Sequence, residues 1–131
     1  MNFSEFVGQV QHRLSLPDEG EALRASRATL STLGERLQAG EAKDLAASLP
    51  MEIDRFLTTA ESGQRFDFDE FADRVARRSN TDRPDAIYHA QQIIALVAET
   101  VAPGELDQVR GQLPDDYDTL FEFVEPEPPS A

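Results

Sequence analysis

Cysteine is absent from this chain, which excludes structural disulfides, thiolate metal sites and a cysteine nucleophile. No stretch approaches the roughly 18 consecutive apolar residues that a membrane-spanning helix needs. The opening residues Met1-Asn2-Phe3-Ser4-Glu5 lack the basic region and apolar run of a secretory signal, so a cytoplasmic, membrane-free protein is expected. There is no glycine-rich phosphate loop, and Ser4, Ser26, Ser31 and Ser48 lack the glycines of a nucleophile elbow. Alternating apolar and polar runs of the strand type are missing as well, and the expected class is all-α.

Cations are scarce. The 131 residues carry 25 acids against 12 bases, a net charge of −13, and Lys43 stands alone beside eleven arginines. An acidic surface nearly free of lysine suits work in molar salt, where the Debye length falls to about 3 Å and self-repulsion is screened. The competing explanation is a GC-rich genome, which favours arginine codons. Either way the charge argues against a nucleic-acid partner, whose phosphates require clustered cations. The densest basic group, Arg74, Arg77 and Arg78, is diluted by Asp67, Asp69, Glu70 and Asp73.

What is present is a repetition. Gly40-Glu41, followed by seven residues and Leu49-Pro50, returns 64 residues later as Gly104-Glu105, seven residues and Leu113-Pro114. Upstream of each copy the same order recurs. Asn2 with Glu5, and Asp67 with Glu70, have N-cap spacing, and Phe3, Phe6, Val7, Val10 and Leu14 are answered by Phe68, Phe71 and Val75 at helical spacing. Asp18 with Glu21, and Asp82 with Asp85, open a second and longer helix. Its stripe is Leu23, Ser26, Leu30, Leu33 and Leu37 in one copy, and Ile87, Ala90, Ile94, Val97 and Val101 in the other. Ile93 and Leu96 widen the latter, which is expected to be the more buried. Pro103 fits the first position of a third helix, with Gln38 and Ala102 at the caps. Pro50 and Pro114 cannot continue that helix and should begin a separate last one.

The expected architecture is a tandem duplication of a four-helix unit packed into one domain. Residues 1–60 form repeat one, 61–65 a linker, 66–123 repeat two and 124–131 a disordered tail rich in proline and acid. A unit of about 60 residues is marginal alone, and the second copy is the nearest cover for its apolar face.

At the residues Phe3-x-x-Phe6, His12-Arg13, Thr32-Leu33-Gly34-Glu35-Arg36-Leu37, Gly40-Glu41-Ala42, Asp44-Leu45-Ala46, Tyr88-His89-Ala90, Pro103-Gly104-Glu105 and Tyr117 the chain resembles the prokaryotic domain of unknown function 2267 family. Members of that family usually have a small hydroxyl residue before Pro-Gly-Glu, where this chain has Ala102. The resemblance implies a helical soluble protein and transfers no catalytic residues.

Candidate chemistry is thin. His12 and His89 are the only histidines; as metal ligands they would need carboxylates nearby, and neither has a His or Cys at the spacing a helical zinc site uses. Tyr88 and His89 are adjacent, about 100° apart on a helix. Asp115, Asp116 and Asp118 lack the spread of an EF-hand loop. Arg13 and Arg78 hold equivalent places and are expected to pair with acids of neighbouring helices. No catalytic residue, metal site or cofactor is assigned. The leading expectation is a non-enzymatic interaction or regulatory module with a protein partner or self-association. The alternative is a small-molecule or metal-binding protein with His12, Arg13, Tyr88 and His89 at the repeat interface.

Overall fold

A computed structural model describes residues 1–125. Among these it shows seven α-helices, α1 (Phe3–Leu14), α2 (Glu19–Arg36), α3 (Ala39–Ala46), α4 (Met51–Thr58), α5 (Phe68–Ser79), α6 (Arg83–Thr100) and α7 (Glu105–Gly111), then a 3-10 helix, Asp115–Phe121. No strand occurs among the described residues. The tail expected at 124–131 falls, from residue 126 on, outside them.

The helix starts follow local chemistry. Asn2, Asp18, Asp67 and Asp82 each accept the backbone N–H three residues on, from Glu5, Glu21, Glu70 and Asp85, at 2.9, 2.8, 2.9 and 3.0 Å. Each such cap stabilises its helix by about 1 kcal/mol. α1 and α5 stop alike: Ser15 and Asn80 turn into the left-handed region with φ of 52° and 54°. The following N–H groups, of Leu16 and Thr81, bond back to Gln11 and Ala76 at 3.0 Å, the arrangement of a Schellman end.

α2 lies at the centre, packed on α1, α4, α5 and α6, while α6 packs on α5, α1, α2 and the 3-10 helix. One contiguous apolar core results. α6, expected to be the more buried of the long helices, buries more apolar residues than α2, seven against five, but the totals are nearly equal. α2 buries nine residues and α6 eight. Many of those on α2 are alanine, glycine, serine or threonine, which an apolar-stripe reading overlooks. Ser26 and Thr32 satisfy their buried hydroxyls on the carbonyls of Ala22 and Ala28, at 2.9 and 2.7 Å, so a helix can bury them without orphaned donors.

Small residues let neighbours come close. A Cβ at Gly34 would stand 2.5 Å from the Leu57 carbonyl oxygen, so α2 and α4 meet backbone to backbone there. The segment after α4 then closes α2: Gly63 and Gln64 donate their N–H groups to the carbonyls of Leu37 and Glu35 at 2.7 and 2.9 Å. Arg36 Nε reaches the Phe66 carbonyl at 2.9 Å.

The corners around the Gly-Glu motifs differ from expectation in one copy. α3 starts after Gln38 as foreseen, without a side-chain cap. Pro103 does not open α7; that helix starts at Glu105 with Gly104 as its cap at φ 86°. Glu105 N–H bonds to Ala102 O at 3.2 Å. Proline then glycine at the two central positions of such a turn gives type II geometry, where only the second residue needs positive φ. The prolines end their helices as expected, Pro50 capping α4 and Pro114 the 3-10 helix. In the latter, side chains three apart eclipse, which places Tyr117 and Leu120 together in the core. Tyr117 Oη donates to the carbonyls of Phe66 and Asp67 at 2.8 and 3.2 Å.

Candidate functional site

The arginines sort into two sets. Arg13, Arg74, Arg78, Arg83 and Arg110 pair with carboxylates, and Arg36 is spent on Phe66. Arg74 and Arg78, two of the three arginines of the densest basic group, both close on Glu35 of α2, and Arg74 also meets Glu70. Arg24, Arg27, Arg55, Arg65 and Arg77 have no guanidinium hydrogen bond or ion pair among the described residues. In a chain with 25 acids that is unexpected, because an exposed arginine finds a carboxylate cheaply.

Three of these, Arg24, Arg27 and Arg55, line one cleft of about 930 Å³ between α2 and α4, together with Arg78 of α5. Arg24 and Arg27 stand one helical turn apart on α2, and Ser31 and Glu35 continue the same face. Arg55 approaches from α4. The floor is apolar, formed by Leu23, Ala28, Phe56 and Ala60. Four arginines against one glutamate give the lining a formal charge of +3, set in a chain of −13. Burial alone would raise the Glu35 carboxyl, but the hydrogen bonds and charges of Arg78 and Arg74 outweigh it and hold the group below the usual carboxylate range. It stays ionised and occupied by those two partners, leaving the other three guanidinium groups free. The arrangement sets three guanidinium groups without acidic partners beside an apolar floor, a lining whose charge and shape suit an anion.

The residues singled out from sequence have separate surroundings. Arg13 pairs with Glu99 of α6 at 2.8 Å; the hydrogen bond to Glu99 raises the guanidinium and lowers the carboxyl. The expectation that Arg13 and Arg78 meet acids of neighbouring helices is met at both positions. Tyr88 is exposed and packs edge-on to Phe123, ring centroids 6.1 Å apart. His12 is exposed on α1. His89 borders a polar cavity of about 300 Å³ between the α1–α2 and α5–α6 corners, with Glu21, Arg24, Asn80 and Asp85. Its Nδ1 is enclosed without a hydrogen-bond partner, and burial lowers its pKa against the opposing pull of Asp85, Asp82 and Glu21. Of the four, His89 borders this cavity and the other three do not. Among the described residues no three histidine or acidic side chains converge as metal ligands would.

The repeated glutamates face a shared environment. α3 packs on α7, and Gln112 Nε2 donates to Glu41 Oε2 at 3.0 Å. The Oε1 atoms of Glu41 and Glu105 are both enclosed without a partner. Burial raises the Glu41 carboxyl, and the charges of Glu105 and Asp44 add to the rise.

The arginine cleft was not among the residues read from sequence. Its signal was there in part: Arg24, Arg27, Ser31 and Glu35 share one face of α2. Nothing local announces that Arg55, 28 residues beyond Arg27, completes it.

A helical chain with a centrally packed long helix and a positively lined cleft defines a class, not a chemistry. The family model described as "Uncharacterized conserved protein (DUF2267)" matches residues 3–120, and the chain belongs to that family. No curated protein matches it significantly. Among the described residues no helix is long and apolar enough to cross a membrane.

Proposed function

We propose that this protein acts by binding rather than catalysis: a helical interaction or regulatory module whose arginine-lined cleft receives an anionic group of its partner. The observation that carries this reading is the convergence of Arg24, Arg27 and Arg55, all without an acidic partner among the described residues, on one concave site. Guanidinium groups match carboxylate and phosphate in shape and charge. An acidic chain that gathers free cations in one place gains little stability from doing so, which leaves recognition as the reason.

The same proposal reads residues 1–60 and 66–123 as tandem copies of one unit joined by 61–65. Supporting it are helix lengths of 12, 18 and 8 residues answered by 12, 18 and 7, and caps and left-handed ends at matching places. The reading near His12, Arg13, Tyr88 and His89 retains support at one position, the cavity beside His89, which lies between the two copies.

Thermal unfolding at low ionic strength, with citrate added against sodium chloride of equal ionic strength, tests the binding reading. The melting temperature of the wild-type protein rises further in citrate than that of the variant Arg24→Gln/Arg27→Gln/Arg55→Gln; any general salting effect is common to both. Equal responses would remove the cleft as an anion site.

A further inference from the structure

The ligand class can be narrowed from the cleft itself, on the footing of the anion-binding reading above. We infer that the occupant is a small amphipathic organic anion, its carboxylate or phosphate head held by Arg24, Arg27 and Arg55 and its apolar body lying on Leu23 and Phe56.

Three features lead there. The first is the pairing of charge with an apolar floor. Leu23 and Phe56 are only half-buried by the protein's own packing, and both face the cleft with Ala28 and Ala60. A bare inorganic anion would leave that surface wet, while a ligand with a hydrocarbon or aromatic body covers it. Each Å² of apolar surface so covered contributes about 25 cal/mol.

The second is size. A volume of about 930 Å³ lies within the roughly 300–1,000 Å³ of small-molecule sites.

The third is the setting. Outside the cleft the chain is strongly acidic, with a net charge of −13 overall. A nucleic acid or an extended acidic peptide would run beyond the cleft onto like charge, whereas a compact anion stays within the positive island. A metal ion is repelled by the same lining. Arginines on two helices also suit a head group with two or more oxygens, because each guanidinium offers a fork of N–H donors. Glu35 does not compete, since Arg74 and Arg78 hold both of its oxygens.

The two parts of the site respond differently to salt. Attraction between the arginines and the head group is screened, with a Debye length of about 10 Å at 0.1 M. Contact with the floor is not. An amphipathic anion therefore loses less affinity as salt rises than phosphate does.

The test uses the full chain and 8-anilinonaphthalene-1-sulfonate, a fluorescent anion with an aromatic body, with decanoate, inorganic phosphate and a hexapeptide of aspartate and glutamate as competitors. Variants are Arg27→Gln/Arg55→Gln and, on the floor, Leu23→Gln, each checked by circular dichroism for a wild-type helical signal and a cooperative melt. The expected result is saturable fluorescence displaced by decanoate at concentrations at least tenfold below those of phosphate or peptide. Affinity falls about tenfold or more in the arginine variant and several-fold in Leu23→Gln. If phosphate competes as well as decanoate and Leu23→Gln changes nothing, the amphipathic ligand is wrong while the anion cleft stands. If the peptide competes best, the small-molecule assignment fails and the cleft recognises an acidic segment. If no anion binds, or binding is unchanged in the arginine variant, both readings fall. Should Leu23→Gln fail to fold, the salt dependence of decanoate against phosphate in the wild-type protein decides the apolar part: parallel slopes overturn it.

Discussion

Arg78 grips Glu35 with both terminal nitrogens, Nη1 to Oε1 at 2.7 Å and Nη2 to Oε2 at 3.0 Å. The bond joins α5 to α2, and Arg78 Nη1 also donates to Thr32 Oγ1 at 2.8 Å. Arg13 and Glu99 repeat the contact between α1 and α6, displaced by 65 residues on the arginine side and 64 on the glutamate side. Each arginine thus reaches across to the long helix of the other half. The two contacts differ in strength. The Glu35 side chain is 16% exposed, and that of Glu99 is 59%. Screening by water leaves the second pair worth little.

Glu35→Gln is expected to destabilise the fold by about 1–3 kcal/mol, the cost of removing one partner from a charged and largely buried hydrogen-bond network. Urea denaturation at pH 7 measures it. Because the folded-state pKa of Glu35 is lowered, its contribution is present above the ordinary carboxylate range and lost as pH falls through the folded value. The gap between wild type and variant should therefore be widest at neutral pH and close on acidification. A gap independent of pH would show that Glu35 matters for packing and not for charge.

Glu41 carries the opposite sign. Its carboxyl is raised by burial first and by Glu105 and Asp44 next. A raised acid costs nothing below its ordinary pKa, and the penalty for ionising it in the fold grows as pH rises through the interval up to the folded value. Glu41→Gln keeps an acceptor for Gln112 and removes the charge. The variant is expected to be more stable than wild type at pH 7 by up to about 1 kcal/mol, with the advantage vanishing near pH 4. Denaturation midpoints across that range check it, and a variant less stable at pH 7 would overturn the account.

Gly34→Ala and Gly8→Ala make a matched pair. Alanine favours a helix over glycine by about 1 kcal/mol, so propensity alone predicts that both stabilise. A Cβ at Gly8 meets nothing within 4 Å, whereas one at Gly34 lies 2.5 Å from Leu57 O and 3.1 Å from Leu57 Cα. Backbone cannot swing aside, so Gly34→Ala should cost about 1–3 kcal/mol through overpacking, and Gly8→Ala should gain about 0.5–1 kcal/mol. Thermal melts of both variants decide it. Because α4 borders the cleft, displacing it at Gly34 should also weaken anion binding.

These glycines mark where sequence reasoning works and where it stops. Asn2, Asp18, Asp67 and Asp82 could be placed as caps because a cap is a local event, settled within four residues. Pro50 and Pro114 were legible as helix boundaries for the same reason. Gly34 reads as one more helical glycine until α4 is laid across it, a contact between residues 23 apart. Arg24 and Arg27 share one face of α2, and only the approach of Arg55 turns that face into a cleft. Pro103 misled because proline serves equally as the first residue of a helix and the second of a type II turn. Gly104 decides between them, by taking a positive φ that Gly40 does not need.

The dependence of each half on the other follows from where α2 and α6 find their cover. α2 packs on α5 as well as on α1 and α4, and α6 packs on α1 and α2 as well as on α5. Severed at the 61–65 linker, each fragment would expose apolar surface that only the other covers, and would lose the Arg78–Glu35 or Arg13–Glu99 bond. A unit of about 60 residues has little stability to spare. Fragments 1–63 and 64–131, made separately, are therefore expected to show weak helical circular dichroism and no cooperative melt. Mixed in equal amounts they should recover helicity and a single transition whose midpoint rises with concentration. A fragment that melts cooperatively on its own would mean that the two halves are independent domains, and that the two arginine–glutamate contacts are incidental to folding.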